Sequence, residues 1–463
     1  LSPDLTRGDR ARLGFSGGLT GDNIGVEYSG VVFAIAESRR RAGVIYAGTN
    51  DGKLHITQDG GRTWTDLTGN IPNAPAWGTI SNVEPSRYDD GTAYMSIDAH
   101  QANSRDPFIY KTTDFGKTWR LMVNGIPKSP LSYIHVVRED PVRRGLLYSG
   151  AENGLYVSFD DGENWQPLQN NMPRAPVYWI EIQEHFNDLV VATYGRGFWI
   201  MDDITPLRQL AADVTGKGAH LFVQRFAYRF RPIESAMAPF EDPVTGQNPP
   251  SGAAINFWLK AESKDSAKLE IVDASNKVVR TLKAASKPGV NRIWWDLLGE
   301  QSKEARIRTS PQYAPQIVVG AEGRPAPAVQ RYAVLLPPGT YTVRLTAAGR
   351  TESQPLEIRK DPATSGTLED IRAQIALASE IHSDVNSAVD MINNLELVRG
   401  QLATLKSFLA SDTTAKDVRE AADSLDKKLV AVEGKLHQMR VTGRGQDIIR
   451  YPAQITEQLT YLG

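Results

Sequence analysis

The spacing of hydrophobic residues changes twice along the chain and predicts three structured regions. Up to residue 210, short apolar runs are broken by Gly, Asn, Asp and Pro, a pattern typical of closely spaced β-strands. Residues 211–251 form a connector that is polar and rich in proline towards its end, and strand-length apolar runs return over 252–361. Over 362–463 apolar positions recur at helical spacing. The pattern therefore predicts a mainly β chain with an α-helical tail.

The tail contains signals for helix starts and ends. Thr367 followed by Asp370 predicts a capping box at the start of a first helix, and Gly400 is a plausible break in it. A second apolar stripe predicts a helix over 415–439. Pro452 lies where a third, short helix could begin. We expect a helical hairpin or small bundle.

The 252–361 region predicts a second β domain. Two adjacent residues, Trp294 and Trp295, point to opposite faces of a strand, so one of them is expected in the core. The proline- and glycine-rich interval 301–331 predicts a long loop. This rhythm resembles an immunoglobulin-like sandwich of bacterial extracellular proteins. The predicted strands are 253–259, 268–272, 278–282, 291–296, 332–336 and 339–346.

The first region contains an internal repeat of roughly 50 residues. The segments 57–64, 112–119 and 158–165 share the pattern Ser/Thr-x-Asp-x-Gly-x-x-Trp, and each follows an apolar strand. In such a turn the Asp carboxylate accepts nearby backbone N–H groups, while Gly supplies a positive φ. A fourth unit ends at Asp203 and lacks the terminal Trp. These residues are therefore expected to build turns rather than to catalyse.

The repeats resemble the Asp-box (BNR) repeats of sialidase-, sortilin- and xyloglucanase-like β-propellers in large secreted bacterial proteins. The resemblance covers about residues 30–205. It implies that each Asp box joins the third and fourth strands of a blade, on the face opposite the ligand. The residues to which it assigns a structural role are Asp59, Gly61, Trp64, Asp114, Gly116, Trp119, Asp160, Gly162 and Trp165.

The resemblance also predicts an incomplete ring. The sequence contains about four blades, whereas propellers of this group close with more. Residues 2–6 resemble the end of a preceding blade. We therefore expect a further chain, or a segment absent from this sequence, to complete the propeller.

Loops opposite the Asp boxes contain candidate site residues of mixed chemistry. Paired carboxylates can serve as acid and base in glycoside hydrolysis, and aromatic faces stack on sugars. Arg196 lies between two glycines that let the backbone approach a ligand. A structural alternative remains, since Tyr and Trp also wedge between blades. The weak catalytic candidates are Asp51, Asp98, Asp106 and Glu152, and the ligand-binding candidates are Tyr194, Arg196, Arg105, Trp77, Tyr133 and Tyr178, with Glu27, Tyr28 and Arg174 nearby.

Composition narrows the functional classes. The chain has no cysteine, which excludes disulfides, thiolate metal sites and cysteine catalysis. Its 52 basic and 54 acidic side chains argue against nucleic-acid binding. No apolar stretch is long enough to span a membrane. The seven histidines show no metal-binding spacing, so we expect neither metal nor cofactor.

Two functional hypotheses remain open. The first is an extracellular or periplasmic propeller that binds or hydrolyses a glycan, similar to a glycoside hydrolase. The alternative is a non-catalytic, sortilin-like scaffold that binds a protein or peptide, although sortilins carry cysteine-rich modules that this chain lacks. Sialidase activity is not expected, because the Phe-Arg-Ile-Pro element of that family is missing.

Overall fold

The computed structural model describes residues 2–8, 30–230, 246, 248–262, 267–284, 287–320, 322–443 and 450–463, with the backbone of 15–16 and 20–21. The chain divides into two compact units, Leu1–Leu210 and Ala211–Gly463. As predicted, it is mainly β with a helical segment at the C-terminal end. None of the described helices combines the length and apolar character that crossing a membrane requires.

The first unit consists of successive antiparallel sheets whose strands pair in sequence order. A short hairpin of β1 (Phe15–Ser16) and β2 (Thr20–Gly21) precedes them. This meander, repeated from sheet to sheet, is the topology of β-propeller blades. The sheets are β3 (Val32–Glu37), β4 (Ile45–Thr49), β5 (Leu54–Thr57) and β6 (Thr65–Asp66); β7 (Thr79–Pro85), β8 (Ala93–Asp98), β9 (Ile109–Thr112) and β10 (Arg120–Leu121); β11 (Ile134–Glu139), β12 (Leu147–Ala151), β13 (Gly154–Ser158) and β14 (Gln166–Pro167); and β15 (Val177–Gln183), β16 (Asp188–Thr193) and β17 (Phe198–Met201).

Each pair of neighbouring sheets shares a hydrophobic core. Tyr46 of the first sheet packs in one cluster with Met95 of the second, and both are fully buried. Leu147 of the third sheet lies in the next cluster, together with residues of the second. Tyr148 and Val191 belong to the cluster between the third and fourth sheets. The hydrophobic cores of this unit therefore lie between neighbouring sheets, as a propeller requires.

The two outermost sheets differ from the two inner ones. Strands β7 and β11 contain only buried and half-buried side chains, and neither has an exposed residue. In contrast, Phe33 and Ile35 on β3 are 60% and 72% exposed, and Phe198 and Ile200 on β17 are 79% and 59% exposed. Within the described residues, no sheet covers these apolar side chains.

The three Asp boxes form closed turns at the ends of β5, β9 and β13. Asp59 Oδ1 accepts hydrogen bonds from the Thr57 hydroxyl (2.8 Å) and the backbone N–H of Thr63 (3.0 Å). Asp114 and Asp160 repeat both contacts in the second and third sheets. The glycine two residues after each aspartate has a positive φ, which glycine adopts without strain. Each box closes on its own eight residues.

The second unit begins at Ala211 and contains two sheets that pack on one core. Trp295 is fully buried in that core beside Phe257, Leu269 and Val343. The helices α1 (Thr205–Gln209) and α2 (Ala212–Thr215) flank the boundary between the two units. The sheets are β18 (Ala219–Leu221), β20 (Ala253–Leu259) and β23 (Gly289–Trp295), and β19 (Ala227–Arg229), β27 (Arg350–Lys360), β26 (Gly339–Ala347), β21 (Ala267–Val272) and β22 (Val278–Ala284); β24 (Arg306–Ile307) and β25 (Arg324–Pro325) form a separate pair.

Two strand predictions for this unit need correction. The segment 332–336 is not a strand, and only an isolated bridge joins Leu335 to Leu298. Strand β27 was not predicted, because its 350–360 sequence is mostly polar and only Leu356 and Ile358 are buried. It is nevertheless regular, since it pairs with β26 along nine residue pairs.

Three helices complete the unit: α3 (Leu368–Phe408), α4 (Lys416–Leu436) and α5 (Ile455–Leu462). The capping box of Thr367 and Asp370 is confirmed. The expected break at Gly400 is wrong, because α3 continues through it. A glycine inside a helix costs only about 1 kcal/mol, and the adjacent Arg399 is held by Glu433 of α4 at 2.7 Å.

Candidate functional site

The antiparallel order of the strands brings a set of polar and aromatic residues to one edge of the propeller sheets. First strands begin, and second strands end, at the edge opposite the Asp boxes, which follow third strands. Residues at these strand ends meet across the second, third and fourth sheets. We call this group the His135 cluster; it comprises Asp98, His100, Tyr133, His135, Glu152, Tyr178 and Tyr194.

Two β-bulges orient the side chains of His135 and Tyr178, whose rings lie at the centre of the cluster. The register of β11 shifts between Ile134 and Val136, on either side of His135. The register of β15 shifts in the same way around Tyr178. A bulge adds one residue to a strand and re-aims its side chain. The two bulged residues stack on each other, with ring centroids 4.0 Å apart.

The aromatic rings of the cluster form a continuous ladder. Tyr194 lies 5.5 Å from Tyr178, which stacks on His135. Beyond His135, the ring of Tyr133 lies at 5.3 Å in an edge-on arrangement, and His100 stacks on Tyr133 at 4.7 Å. The outer rungs are accessible, since Tyr194 is 71% and Tyr178 is 46% exposed. The ladder therefore runs from the exposed Tyr194 through the buried His135 and Tyr133 to the half-buried His100.

His135 lies between two carboxylates. Its Nδ1 is 3.5 Å from Asp98 Oδ2, and its Nε2 is 3.0 Å from Glu152 Oε2. A neutral imidazole has one N–H donor, so it can donate to only one of these groups. A protonated imidazole donates to both. The buried ring therefore links the two carboxylates, and the number of its N–H groups decides whether one or both of them receive a hydrogen bond.

The surroundings of the cluster shift several pKa values. Burial raises the pKa of Asp98, but hydrogen bonds from His135 and from the backbone and ring of His100 outweigh it and hold the pKa below its ordinary value. The His100 ring Nδ1 lies 2.7 Å from Asp98 Oδ1. Burial, followed by the hydrogen bond to Glu152, raises the pKa of Tyr133. Because its pKa is lowered, the Asp98 side chain is ionised at neutral pH.

Five of the sequence-derived candidates meet in this cluster: Asp98, Glu152, Tyr133, Tyr178 and Tyr194.

Arg105 lies at the margin of the cluster. Its guanidinium is 6.0 Å from the Tyr133 ring and donates to the Pro130 carbonyl at 3.1 Å. It is a flanking cation rather than part of the ladder.

Other candidates lie elsewhere. Asp51 is buried, and its Oδ2 accepts the backbone N–H of Arg7 at 2.7 Å. The Arg7 guanidinium lies 5.1 Å from the ring of Trp77, so these three residues form a separate group. Asp106 pairs with the exposed Lys128 at 3.0 Å.

Arg196 is exposed on the loop between β16 and β17. Its backbone carbonyl accepts the Trp199 indole N–H at 3.0 Å, which fixes the loop. Arg174 is also exposed. Glu27 and Tyr28 lie outside the described residues.

Sequence reasoning missed His100 and His135. His135 is buried within β11, and both of its ring nitrogens face carboxylates. Phe33, Ser81, His135 and Tyr178 each lie at the register shift of a first strand, but the shift is visible only in the structure. The part of the chain that the structure describes contains no group of three or more His, Asp or Glu residues suited to a metal ion.

Comparisons with known proteins find only distant structural similarities. No protein-family model matches the chain, and no curated protein sequence matches it. Among solved structures, YCF48 bound to D1 peptide is similar at 13% identity and TM-score 0.27, over 70% of this chain and 81% of that one. A GH74 xyloglucanase from Xanthomonas campestris is similar at 14% identity and TM-score 0.31, over 70% and 45%. A GH74 enzyme from Niastella koreensis is similar at 15% identity and TM-score 0.28, over 56% and 30%.

These similar structures are β-propeller proteins. The match spans less than half the length of either GH74 enzyme. At such identities and TM-scores, the likeness carries no argument about activity.

Proposed function

We propose that this chain binds a glycan at the His135 cluster. The observation that carries the proposal is the ring ladder, which is exposed at Tyr194 and Tyr178 and whose central ring, His135, lies between two carboxylates. The proposal includes an extracellular or periplasmic location, where glycan polymers occur. It also includes membership of the Asp-box propellers and an immunoglobulin-like assignment for the sandwich.

The chemistry of the cluster suits a sugar. A pyranose presents C–H groups on one face and hydroxyl groups at its rim. Tyr178 and Tyr194 offer apolar ring faces with polar tips, and Tyr178 is kept in place by the stack on His135. Glu152 and Asp98 offer acceptors for hydroxyl protons. Preordered rings lose little conformational entropy on binding, which favours affinity.

Hydrolysis would be an additional property of the same site. It requires one carboxyl group that donates a proton and one that stays ionised. Asp98 fits the ionised role, because its pKa is lowered. Glu152 would then be the candidate acid, with His135 between the two groups. Release of reducing sugar by the wild-type chain, abolished in Asp98→Asn and Glu152→Gln, would support this extension.

Binding is tested first with a glycan array and then by calorimetry with the best oligosaccharide. Tyr178→Ala should weaken binding roughly tenfold or more, which is about 1.4 kcal/mol, because a stacking face is lost. Tyr313→Ala is the matched control, since Tyr313 is an exposed tyrosine of the other unit. Equal affinity of wild type and Tyr178→Ala would refute the site.

The scaffold alternative is favoured by a different observation, namely the uncovered faces of the outermost sheets. The inner sheets bury the corresponding strands against a neighbour, whereas Phe33, Ile35, Phe198 and Ile200 are exposed. Exposed apolar patches of this kind mark interaction surfaces. We propose that additional polypeptide, either another chain or a further segment, covers these faces and completes the ring.

This alternative predicts self-association of the isolated chain. Uncovered sheet faces should associate at micromolar concentration, and replacing Phe198 and Ile200 together by aspartate should lower the mass measured by light scattering. A monomeric wild-type chain would count against the uncovered faces as interaction surfaces. The glycan titration is independent of that outcome.

A further inference from the structure

The second unit contains a cavity that the proposed glycan site does not use. Its volume is about 390 Å³, and it lies beside α3 and the 332–335 segment. Leu335, Ile375, Leu377 and Ile381 form apolar walls. A volume of several hundred Å³ with mostly apolar walls is typical of small-molecule pockets.

One cation enters this cavity without an acidic partner. Arg229, at the end of β19, lines the cavity; its Nε donates to the Leu336 carbonyl at 3.0 Å and its Nη2 contacts Gln374 Oε1 at 3.2 Å. No carboxylate of the described residues forms an ion pair with Arg229. Burial lowers the pKa of Arg229, the direction expected for a cation removed from water.

One acidic side chain, Asp296, lines the cavity, and it has partners other than Arg229. Its carboxylate lies 3.5 Å from the Arg280 guanidinium and accepts the Leu298 backbone N–H at 3.0 Å. Tyr332 and Ser251 also line the cavity. Arg229 therefore lies beside apolar walls, together with two residues that carry hydroxyl groups.

We propose that this cavity binds a small carboxylate with an apolar body, such as a medium-chain fatty acid. The planar guanidinium matches the geometry of a carboxylate, and its positive charge compensates the negative charge of the ligand in an apolar environment. The apolar body would lie along Leu335, Ile375 and Leu377 and remove their surface from water. The ligand is thus anchored at one end by charge and along its length by burial.

The test is calorimetric titration of the full chain with sodium octanoate below its micelle concentration. Octanol and octylammonium are matched probes, since they keep the chain and change the head group. Octanoate should bind roughly tenfold to a hundredfold more tightly than octanol, because a hydrogen bond to a charged group is strong. Octylammonium should bind more weakly still. Equal binding of octanoate and octanol would overturn the proposal.

Two variants locate the binding. Arg229→Met keeps the apolar stem and removes the charge, so it should reduce octanoate binding to the level of octanol. Arg229 also holds a backbone carbonyl, so Ala378→Trp, which fills the cavity from α3, provides a second route. It should abolish octanoate binding while the melting temperature is retained. Unchanged octanoate affinity in a folded Ala378→Trp chain would also overturn the proposal.

Discussion

At the Asp-box edge of the propeller sheets each aspartate is held by its own turn, whereas at the opposite edge Asp98 is held both by the nearby His100 and by His135 of another strand. Asp59 is bonded by Thr57 and Thr63, within four residues. Asp98 contacts His135 across 37 positions of the sequence, and that histidine also contacts Glu152. The carboxylate of Asp59 is therefore hydrogen-bonded within its own turn. The contacts of Asp98 instead bring together side chains from different strands that can bind a ligand.

The comparison also distinguishes stability from function. Two of the Asp-box tryptophans, Trp119 and Trp165, contribute to the cores between sheets, and the His135 cluster contributes an exposed aromatic surface. Substitutions at the first edge should therefore change the free energy of unfolding and spare affinity. Substitutions at the second edge should change affinity.

The largest expected effect is on stability at the Asp-box edge. Trp165 is buried, and its indole N–H donates to the Met122 carbonyl at 3.0 Å. Trp165→Ala should lower the free energy of unfolding by about 3–5 kcal/mol, because a cavity and an unpaired carbonyl remain. Denaturant unfolding measures this. A loss below about 1 kcal/mol would contradict the packing role.

The next effect concerns His135. Removing the imidazole leaves Asp98 and Glu152 without the donor between them, so His135→Ala should cost about 1–3 kcal/mol and abolish glycan binding. His185→Ala, at an exposed histidine of the same unit, is the control. Retained glycan affinity in His135→Ala would show that binding does not depend on the His135 ring.

A pH titration sharpens the comparison further. Asp98 and Asp59 both have pKa values below the ordinary 3.8, and hydrogen bonds lower that of Asp59 to about 2. Each carboxylate thus stabilises the fold above pH 3.8, and the contribution is lost as the pH falls through its folded pKa. Asp98→Asn and Asp59→Asn should each flatten acid unfolding below about pH 4.

Only one of these two variants should affect the ligand. Asp98→Asn should weaken glycan binding at neutral pH, because the ionised acceptor is lost, while Asp59→Asn should leave the affinity unchanged. A change of glycan affinity in Asp59→Asn would contradict the assignment of stability to the Asp-box edge and of binding to the opposite edge.

The smallest effect is expected at Arg196. Its backbone carbonyl orders the loop, and its guanidinium is exposed outside the ladder. Arg196→Ala should change affinity less than threefold, which corresponds to about 0.6 kcal/mol or less. A loss of tenfold or more would move the ligand towards that loop.

The sequence predicted the fold better than the site, for a physical reason. The Asp-box pattern is local, so the turn at Asp59 can be read from eight consecutive residues. Strand β27 was missed because its regularity comes from pairing with β26 rather than from its own pattern. Gly400 was misjudged because its low helix propensity is offset by tertiary contacts beside it.

The candidate site was only partly predictable. Strand order allowed Asp98, Glu152 and Tyr178 to be placed at one edge. The role of His135 depends on a bulge and on contacts with two other strands, which no local pattern shows. Trp77 and Asp51 satisfied the same loop rule but lie in a separate group with Arg7.

The most direct test of the central claim is a crystal structure of the chain with the oligosaccharide that binds best on a glycan array. The account predicts a sugar ring stacked on Tyr178 and Tyr194, with a hydroxyl group hydrogen-bonded to Asp98 or Glu152. A sugar bound at the Asp-box edge, or one that leaves both tyrosines uncovered, would contradict it.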